Sequence, residues 1–361
     1  MIQTFSSTIR RKEMDAVLTC MVDEKIGPGE LNGRFIQTLK EFTGCDGAVA
    51  FRSPSIAISY AFKALDLEKG THVMLSALAP SWQYRAVEEF GYKPLVLDVN
   101  PETGVLDAQI VASGIKEGGR LLILHETMGI LPNIDDIIAL GIPVIEDISH
   151  SVGAVASEPI SEQENSELQT VENRKKSSRK AGSFGLFAIM GLEEFDTVTG
   201  GGGAVLMAGQ RREWIVLKKY TDSAPRTDIL PDLNSALAWI QLKEFSRNEQ
   251  ARKTLFAAYQ RAVMSGKNRT FVRESDEGST IWSFPVVLNG SFKDAKQYAA
   301  RKEIEIQLAY PDSVVSILDE QASANLKNAK SLSLRTVLFP LYPRLGSEAA
   351  SKIVKVLGTL P

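Results

Sequence analysis

What most constrains this chain is a recurrence. Short apolar runs alternate with helix-forming stretches at the spacing of one strand plus one helix. The runs are Cys45–Phe51, His72–Leu75, Pro94–Val99, Arg120–His125 and Pro143–Asp147. Helical segments lie between them, one ending near Leu65 and one spanning Ile134–Leu140. Strands that alternate with helices in this way pair in parallel. The sequence therefore predicts an α/β fold with a mostly parallel sheet between helices.

In such sheets ligands bind beyond the carboxyl ends of the strands. This directs attention to Pro143–Ala154. A buried strand, Val144-Ile145, ends there on Glu146 and Asp147, followed by a turn carrying His150 and a small-residue exit, Gly153-Ala154. A carboxylate at that place is poised to pair with a cationic ligand atom, although Asp at a strand end also serves as a helix cap. The first run leads into Arg52-Ser53-Pro54-Ser55. Ser53 as N-cap with Pro54 at the first helical position starts a helix. A strand feeding a helix N-terminus reads as an anion site or, equally, as a well-capped helix.

Ser157–Lys180 interrupts the pattern. Glu158, Glu162, Glu164, Glu167 and Glu172 precede Arg174, Lys175, Lys176, Arg179 and Lys180, with no aromatic residue among them. So little apolar surface predicts a disordered surface insertion, whose basic half is able to grip a phosphate or an acidic partner. The core resumes with an apolar strand over Ser183–Met190. Gly200-Gly201-Gly202-Gly203 then precedes a strand at Ala204–Met207. Four glycines permit positive φ and close backbone approach, or a plain turn between adjacent strands. A helical stretch from Leu233 to about Tyr259 leads into a second unit. That unit is expected to hold strands at Thr280–Leu288 and Ser333–Leu338 and helices at Asp294–Lys302 and Gly346–Leu357. The expected domains are residues 1–245, including the 157–180 insertion, and residues 246–361.

Composition removes several classes of function. A net charge of -3 argues against a nucleic-acid surface. Cys20 and Cys45 form no CxxC, and His72, His125 and His150 are the only histidines, so no metal centre is expected. The same cysteine usage suits a reducing, cytoplasmic setting. No apolar run approaches a membrane span, and Met1–Glu13 lacks the apolar core of a signal peptide.

Taken in order, several segments resemble one family. They are Ser53–Leu65, the run Leu97-Asp98-Val99-Asn100-Pro101-Glu102-Thr103, Val144–Ala154, Gly182-Ser183-Phe184-Gly185, Thr199–Val205, Gln241-Leu242 and Phe339-Pro340-Leu341-Tyr342-Pro343. Their order and spacing resemble the DegT/DnrJ/StrS sugar aminotransferases, pyridoxal-phosphate (PLP) enzymes of fold type I. The resemblance covers nearly the whole chain. It implies a large domain carrying the cleft, a smaller C-terminal α/β domain and a homodimer. It also implies that Asp147 pairs with the protonated pyridine nitrogen, keeping the ring electron-poor. His150 takes the place of a polar residue near the ring, and Ser53 and Ser55 match the phosphate-binding turn. The aromatic that stacks on the ring aligns with Pro80, with Trp82 two residues on as a substitute.

The departures from the family bear on function. Counting back from Thr199-Gly200-Gly201-Gly202-Gly203-Ala204, the Schiff-base lysine position is occupied by Phe195, and no lysine lies between Ala181 and Gln210. Transamination by this route needs a lysine amine to hold the aldehyde and shuttle a proton. Lys180 precedes the Gly182–Gly185 strand entry, whereas the family lysine follows it. Met190 stands at a phosphate-binding serine position, and Pro54 removes a backbone donor. Thr227 and Ile229 replace an Asn-x-Arg signature. The first expectation is therefore a relative that has lost covalent cofactor attachment and acts as a nucleotide-sugar-binding, regulatory or scaffold protein. The alternative is an enzyme of polysaccharide or amino-sugar biosynthesis that holds PLP or pyridoxamine phosphate (PMP) non-covalently through Asp147 and His150. A third is an interaction protein that docks through the insertion.

Overall fold

The computed structural model describes residues 1–156, 179–273 and 278–361. Two N-terminal helices, α1 (Arg11–Val22) and α2 (Glu30–Thr43), precede β1 (Gly47–Phe51). The repeating part follows as α3 (Pro54–Leu65), β2 (His72–Ser76), α4 (Ser81–Glu89), β3 (Lys93–Leu97), α5 (Ala108–Lys116), β4 (Gly119–His125), α6 (Ile134–Ile138) and β5 (Val144–Asp147). Next come β6 (Phe187–Gly191), β7 (Ala204–Ala208), α7 (Arg211–Thr221), α8 (Asp232–Lys243) and α9 (Phe245–Met264). The C-terminal part is β8 (Phe284–Val287), α10 (Phe292–Arg301), β9 (Gln307–Leu308), α11 (Val314–Ile317), α12 (Lys327–Arg335), β10 (Thr336–Phe339) and α13 (Ser347–Leu357).

Seven strands form the main sheet in the order β1-β7-β6-β5-β4-β2-β3. Only β7 runs against its neighbours, pairing antiparallel with β1 and β6. The expected mostly parallel α/β sheet is present. Apart from the edge strand β3, its strands are short and buried along nearly their whole length, as a sheet covered on both faces requires. The second sheet is small and antiparallel, β8-β10-β9. The chain's first residues bond to the C-terminal half: Ile2 N–H donates to Glu303 O, and Glu305 N–H donates to Ile2 O.

Several elements depart from sequence expectation for a tertiary reason. The helix expected over Leu233–Tyr259 is two helices, α8 and α9, broken at Glu244, whose ψ of 2° leaves the helical range. Ser333–Arg335, expected in a strand, closes α12, and the strand starts only at Thr336. The start of α12 is capped from far along the chain, because the Asp98 carboxylate accepts the backbone N–H groups of Asn328 and Ala329 at 3.0 and 2.8 Å. The glycine run forms the turn between β6 and β7. Gly203 has φ 114°, and a Cβ there would meet Leu230 at 2.4 Å. The proposed 157–180 insertion falls outside the described residues except at Arg179 and Lys180. Among the described residues no helix is long and apolar enough to cross a membrane.

A second long-range cap joins α2 to α8. The N-cap of α2 is Gly29, which has no side chain. Asp232 substitutes for it: its carboxylate accepts Gly29, Leu31 and Asn32 N–H at 2.9, 3.1 and 2.9 Å while only 3% exposed. Three charge-assisted bonds on a buried carboxylate should make Asp232→Ala destabilising by about 2–4 kcal/mol, with Asp232→Asn less severe. Equilibrium urea unfolding of the two variants checks this, and a loss within experimental scatter for Asp232→Ala would contradict the capping role.

Candidate functional site

The site is set by strand register at the carboxyl edge of the main sheet. β4 and β5 pair in parallel, which puts His125 opposite Asp147. Asp147 is 1% exposed and His125 4%. Asp147 Oδ2 accepts from His125 Nδ1 at 2.9 Å and from Gln83 Nε2 at 2.7 Å. An ionised carboxylate only accepts, so His125 carries its proton on Nδ1. Asp147 Oδ1 accepts from Ser149 N–H at 3.2 Å and Ser149 Oγ–H at 2.5 Å. Ser149 Oγ in turn accepts Gly191 N–H at 2.9 Å, joining the turn to the end of β6. Burial alone would raise a carboxyl, but the facing His125, with Ser149 and His150, outweighs it and holds Asp147 below its ordinary value.

Gln83 reaches this carboxylate because the start of α4 is pinned. Ser81 N–H donates to Asp312 O at 2.8 Å and Val314 N–H to Ala79 O at 2.8 Å. The segment before α4 and the 310–315 loop are thus locked together. Between them lies a cavity of about 140 Å³, lined among others by Pro80, His125, Thr127, His150, Tyr310 and Asp312. Its size is close to the ~150 Å³ that admits one benzene-sized ring.

His150 is half-buried and neutral. Its Nδ1 accepts Met128 N–H at 3.3 Å. Burial, then the neighbouring His125, push it down to about 3. Met128 holds a left-handed backbone (φ 57°) to make that bond, a conformation non-glycine residues adopt only when their surroundings enforce it. The His150 ring stacks on Trp282 with centroids 3.7 Å apart and planes 14° from parallel. Trp282 Nε1–H donates to Phe195 O at 2.6 Å. Phe195 itself is 46% exposed, and its ring stacks on Phe5 of the N-terminal segment at 4.6 Å. Phe5 also meets Trp282 at 5.6 Å. Four rings therefore run from His150 through Trp282 and Phe5 to Phe195. Next to Phe195, Asp196 is pushed up to about 7 by burial, with the charges of Asp147 and Glu193 adding to it.

The residues expected to form one site divide. Asp147 and His150 are brought together with Pro80. Ser53 caps α3, its Oγ accepting Ile56 N–H at 3.2 Å, and Ser55 is exposed; neither bonds to Asp147 or His150. Trp82 packs against the core beneath the sheet rather than lining the cavity. Lys180 sends its Nζ to Phe42 O at 2.6 Å. Sequence reasoning passed over His125, Gln83, Asp196, Trp282 and Phe5. Of these only His125 carried a signal, since it ends the strand that parallel pairing sets beside Asp147.

Beneath the site, two glutamates share a proton. Glu146 accepts N–H bonds from Gly182, Phe184 and Gly185 at 2.8, 2.8 and 2.6 Å. Glu126 accepts Ser151 Oγ–H, and both carboxyl groups are 0% exposed. Burial and then the charge of Glu146 push Glu126 well above the carboxylate range, so Glu126 is the protonated partner that donates to Glu146.

The flanked, mostly parallel sheet is that of fold type I, the fold of the PLP-dependent aminotransferases, and Asp147 stands at the carboxyl end of one of its central strands. The profile of the DegT/DnrJ/EryC1/StrS aminotransferase family matches residues 7–358, and the chain belongs to that family. It is 24% identical over 309 residues to EpsN of Bacillus subtilis (strain 168), assigned by name as a pyridoxal phosphate-dependent aminotransferase; the match covers 77% of this chain and 73% of EpsN. The PLP form of the Streptococcus pneumoniae protein Spr1654, described as a sugar aminotransferase, superposes with a TM-score of 0.83 at 16% identity, covering 98% of this chain and 96% of that one. GDP-4-keto-6-deoxymannose-3-dehydratase with a trapped PLP-glutamate geminal diamine superposes at 0.81 and 16% identity, covering 99% of each chain.

The shared proton has a pH signature. Glu126 binds its proton more tightly folded than unfolded, so its contribution is full below the ordinary glutamate range and is lost as pH rises above it. Glu126→Gln keeps a neutral donor, so its unfolding free energy should gain on the natural chain from pH 5 towards pH 8, by at most about 1.4 kcal/mol per pH unit. Denaturant titrations across that range measure it; parallel pH profiles for the two proteins would exclude the protonated pair.

Proposed function

We propose that this chain is a non-transaminating member of the family that keeps the cleft as a ligand-binding site and acts as a regulatory or scaffold relative. One observation carries the reading. Residue 195, where family spacing puts the Schiff-base lysine, is a phenylalanine packed on Phe5, with its carbonyl held by Trp282. Lys180, the nearest preceding lysine, is engaged with Phe42 O. A phenyl ring neither condenses with an aldehyde nor moves a proton. Other features support the same reading. Ser53 Oγ serves as the cap of α3, Pro54 offers no N–H, and Met190 is a fully buried strand residue where a phosphate donor would be needed. These residues do not fit PLP held as an internal aldimine.

The ligand we propose is a nucleotide-sugar-like molecule in the cleft at the carboxyl edge of the sheet, in the setting of polysaccharide or amino-sugar biosynthesis in the cytoplasm. The dehydratase relative named above supports that ligand class. We also propose two domains, residues 1–245 with the cleft and 246–361, and a homodimer. Met14, Leu18 and Met21 of α1 are 49%, 54% and 58% exposed and lie on one helical face, an apolar strip suited to a second copy of the chain.

A second reading has one observation in its favour. Asp147 is buried, ionised and steadied by His125, the arrangement a cationic ring nitrogen would use. In that reading PLP or PMP is held non-covalently and the chain is an enzyme, with Asp147 and His150 beside the ring.

Titration of the purified protein with PLP, followed by borohydride reduction and intact mass measurement, separates these readings. The expected result is a spectrum that returns to baseline on desalting and an unmodified mass. A pyridoxyl adduct on one lysine would overturn the proposal and restore an aminotransferase. A cofactor band that survives desalting but not denaturation, and that disappears in Asp147→Asn, would establish the second reading.

A further inference from the structure

We infer that Gln83 is the residue that closes Asp147 to a ring-nitrogen ligand: its side-chain amide donates to the carboxylate where a protonated heterocycle would. The inference rests on the non-transaminating reading and deepens it, because it locates exclusion of the cofactor at a second residue, independent of position 195.

A carboxylate offers about four lone-pair positions. All four on Asp147 are taken: Gln83 Nε2 at 2.7 Å and His125 Nδ1 at 2.9 Å on Oδ2, and the Ser149 N–H and Oγ–H on Oδ1. A cationic ring nitrogen has to evict one donor. Three of them are fixed by other bonds. His125 is held opposite Asp147 by the β4–β5 register. The Ser149 N–H is backbone in the turn after the strand, and Ser149 Oγ also accepts Gly191 N–H. Gln83 is different, because its Nε2 bond to Asp147 is the only hydrogen bond its side chain makes among the described residues.

The orientation of that amide is dictated by charge, since turning it over would face its oxygen to an ionised carboxylate. At its other end Oε1 is buried with no protein partner among the described residues, in a residue that is 0% exposed. Gln83 lies one turn of α4 from Pro80, which lines the ring-sized cavity together with His125. The amide thus occupies an acceptor position of Asp147, and His125, on the same carboxylate oxygen, lines the ring-sized cavity.

The test uses the full chain and Gln83→Ala, with PMP as the probe. PMP has no aldehyde, so surface lysines cannot condense with it. Benzyl phosphate, which lacks the ring nitrogen, is the control. The thermal midpoint of Gln83→Ala should rise by about 2 °C or more in excess PMP and stay unchanged in benzyl phosphate. The natural chain should respond to neither, and Asp147→Asn added to Gln83→Ala should abolish the response. Circular dichroism establishes that each variant is folded; if Gln83→Ala is not, Gln83→Ser is read in the same way. A natural chain that PMP stabilises as much as the variant overturns the inference, as does a folded position-83 variant indifferent to PMP. The first outcome favours the second reading, in which the natural chain holds PMP; the second leaves the parent reading in place, and the borohydride adduct of the natural chain tests that reading separately.

Discussion

The carboxylate of Asp147 is the interaction on which this edge of the sheet depends. It is an ionised group almost fully withdrawn from water. Such a group persists only if its lost hydration is replaced in full. The replacement comes from three separate places: a strand-end imidazole, a turn hydroxyl with its own N–H, and an amide from the first turn of α4. The charge thereby ties α4, β4, β5 and β6 into one unit. In an active fold-type-I protein a cofactor shares this task. In this chain four protein donors surround the carboxylate and make it an anchor of the sheet edge.

The same principle recurs one residue earlier and at two helix ends. Glu146 faces the opposite way from Asp147, as strand alternation requires, and gathers three backbone N–H groups from the Gly182–Gly185 turn. Its neighbour Glu126 is tolerated in the same apolar space because one proton serves both. Asp98 and Asp232 cap α12 and α2 from distant parts of the chain. Asp98, Glu146, Asp147 and Asp232 are thus joints of this molecule, each accepting N–H groups that would otherwise be unpaired.

Aromatic packing does for the cleft what the carboxylates do for the backbone. His150, Trp282, Phe5 and Phe195 come from the turn after β5, the segment before β8, the N-terminal segment and the loop after β6. Together they draw the N-terminal segment over the site. The neutral state of His150 follows from this packing, since a charged imidazole would be poorly solvated under the Trp282 ring.

The sequence by itself determined the fold class. Strand–helix alternation is a local pattern, and parallel pairing follows from it without knowledge of any contact. It also marked Asp147 and His150, because a carboxylate at the end of a central strand sits at the ligand edge whatever its neighbours are. Where helix signals were local, as with Ser53-Pro54 before α3, the helix start was legible. Where a cap came from afar, as at α12, the boundary was missed, since Asp98 lies outside any local window. The break between α8 and α9 was missed because both stretches form helix and no glycine or proline marks the junction. Only the tertiary structure decided what surrounds Asp147. Gln83 carries no signal inside a helical segment, and its role depends on the docking of the 310–315 loop that fixes the start of α4. Trp282 stacks on His150, and Phe5 of the N-terminal segment reaches Trp282 from far along the chain. Local propensity and periodicity decide elements, but the environment of a buried charge is set by groups that only the folded chain brings together.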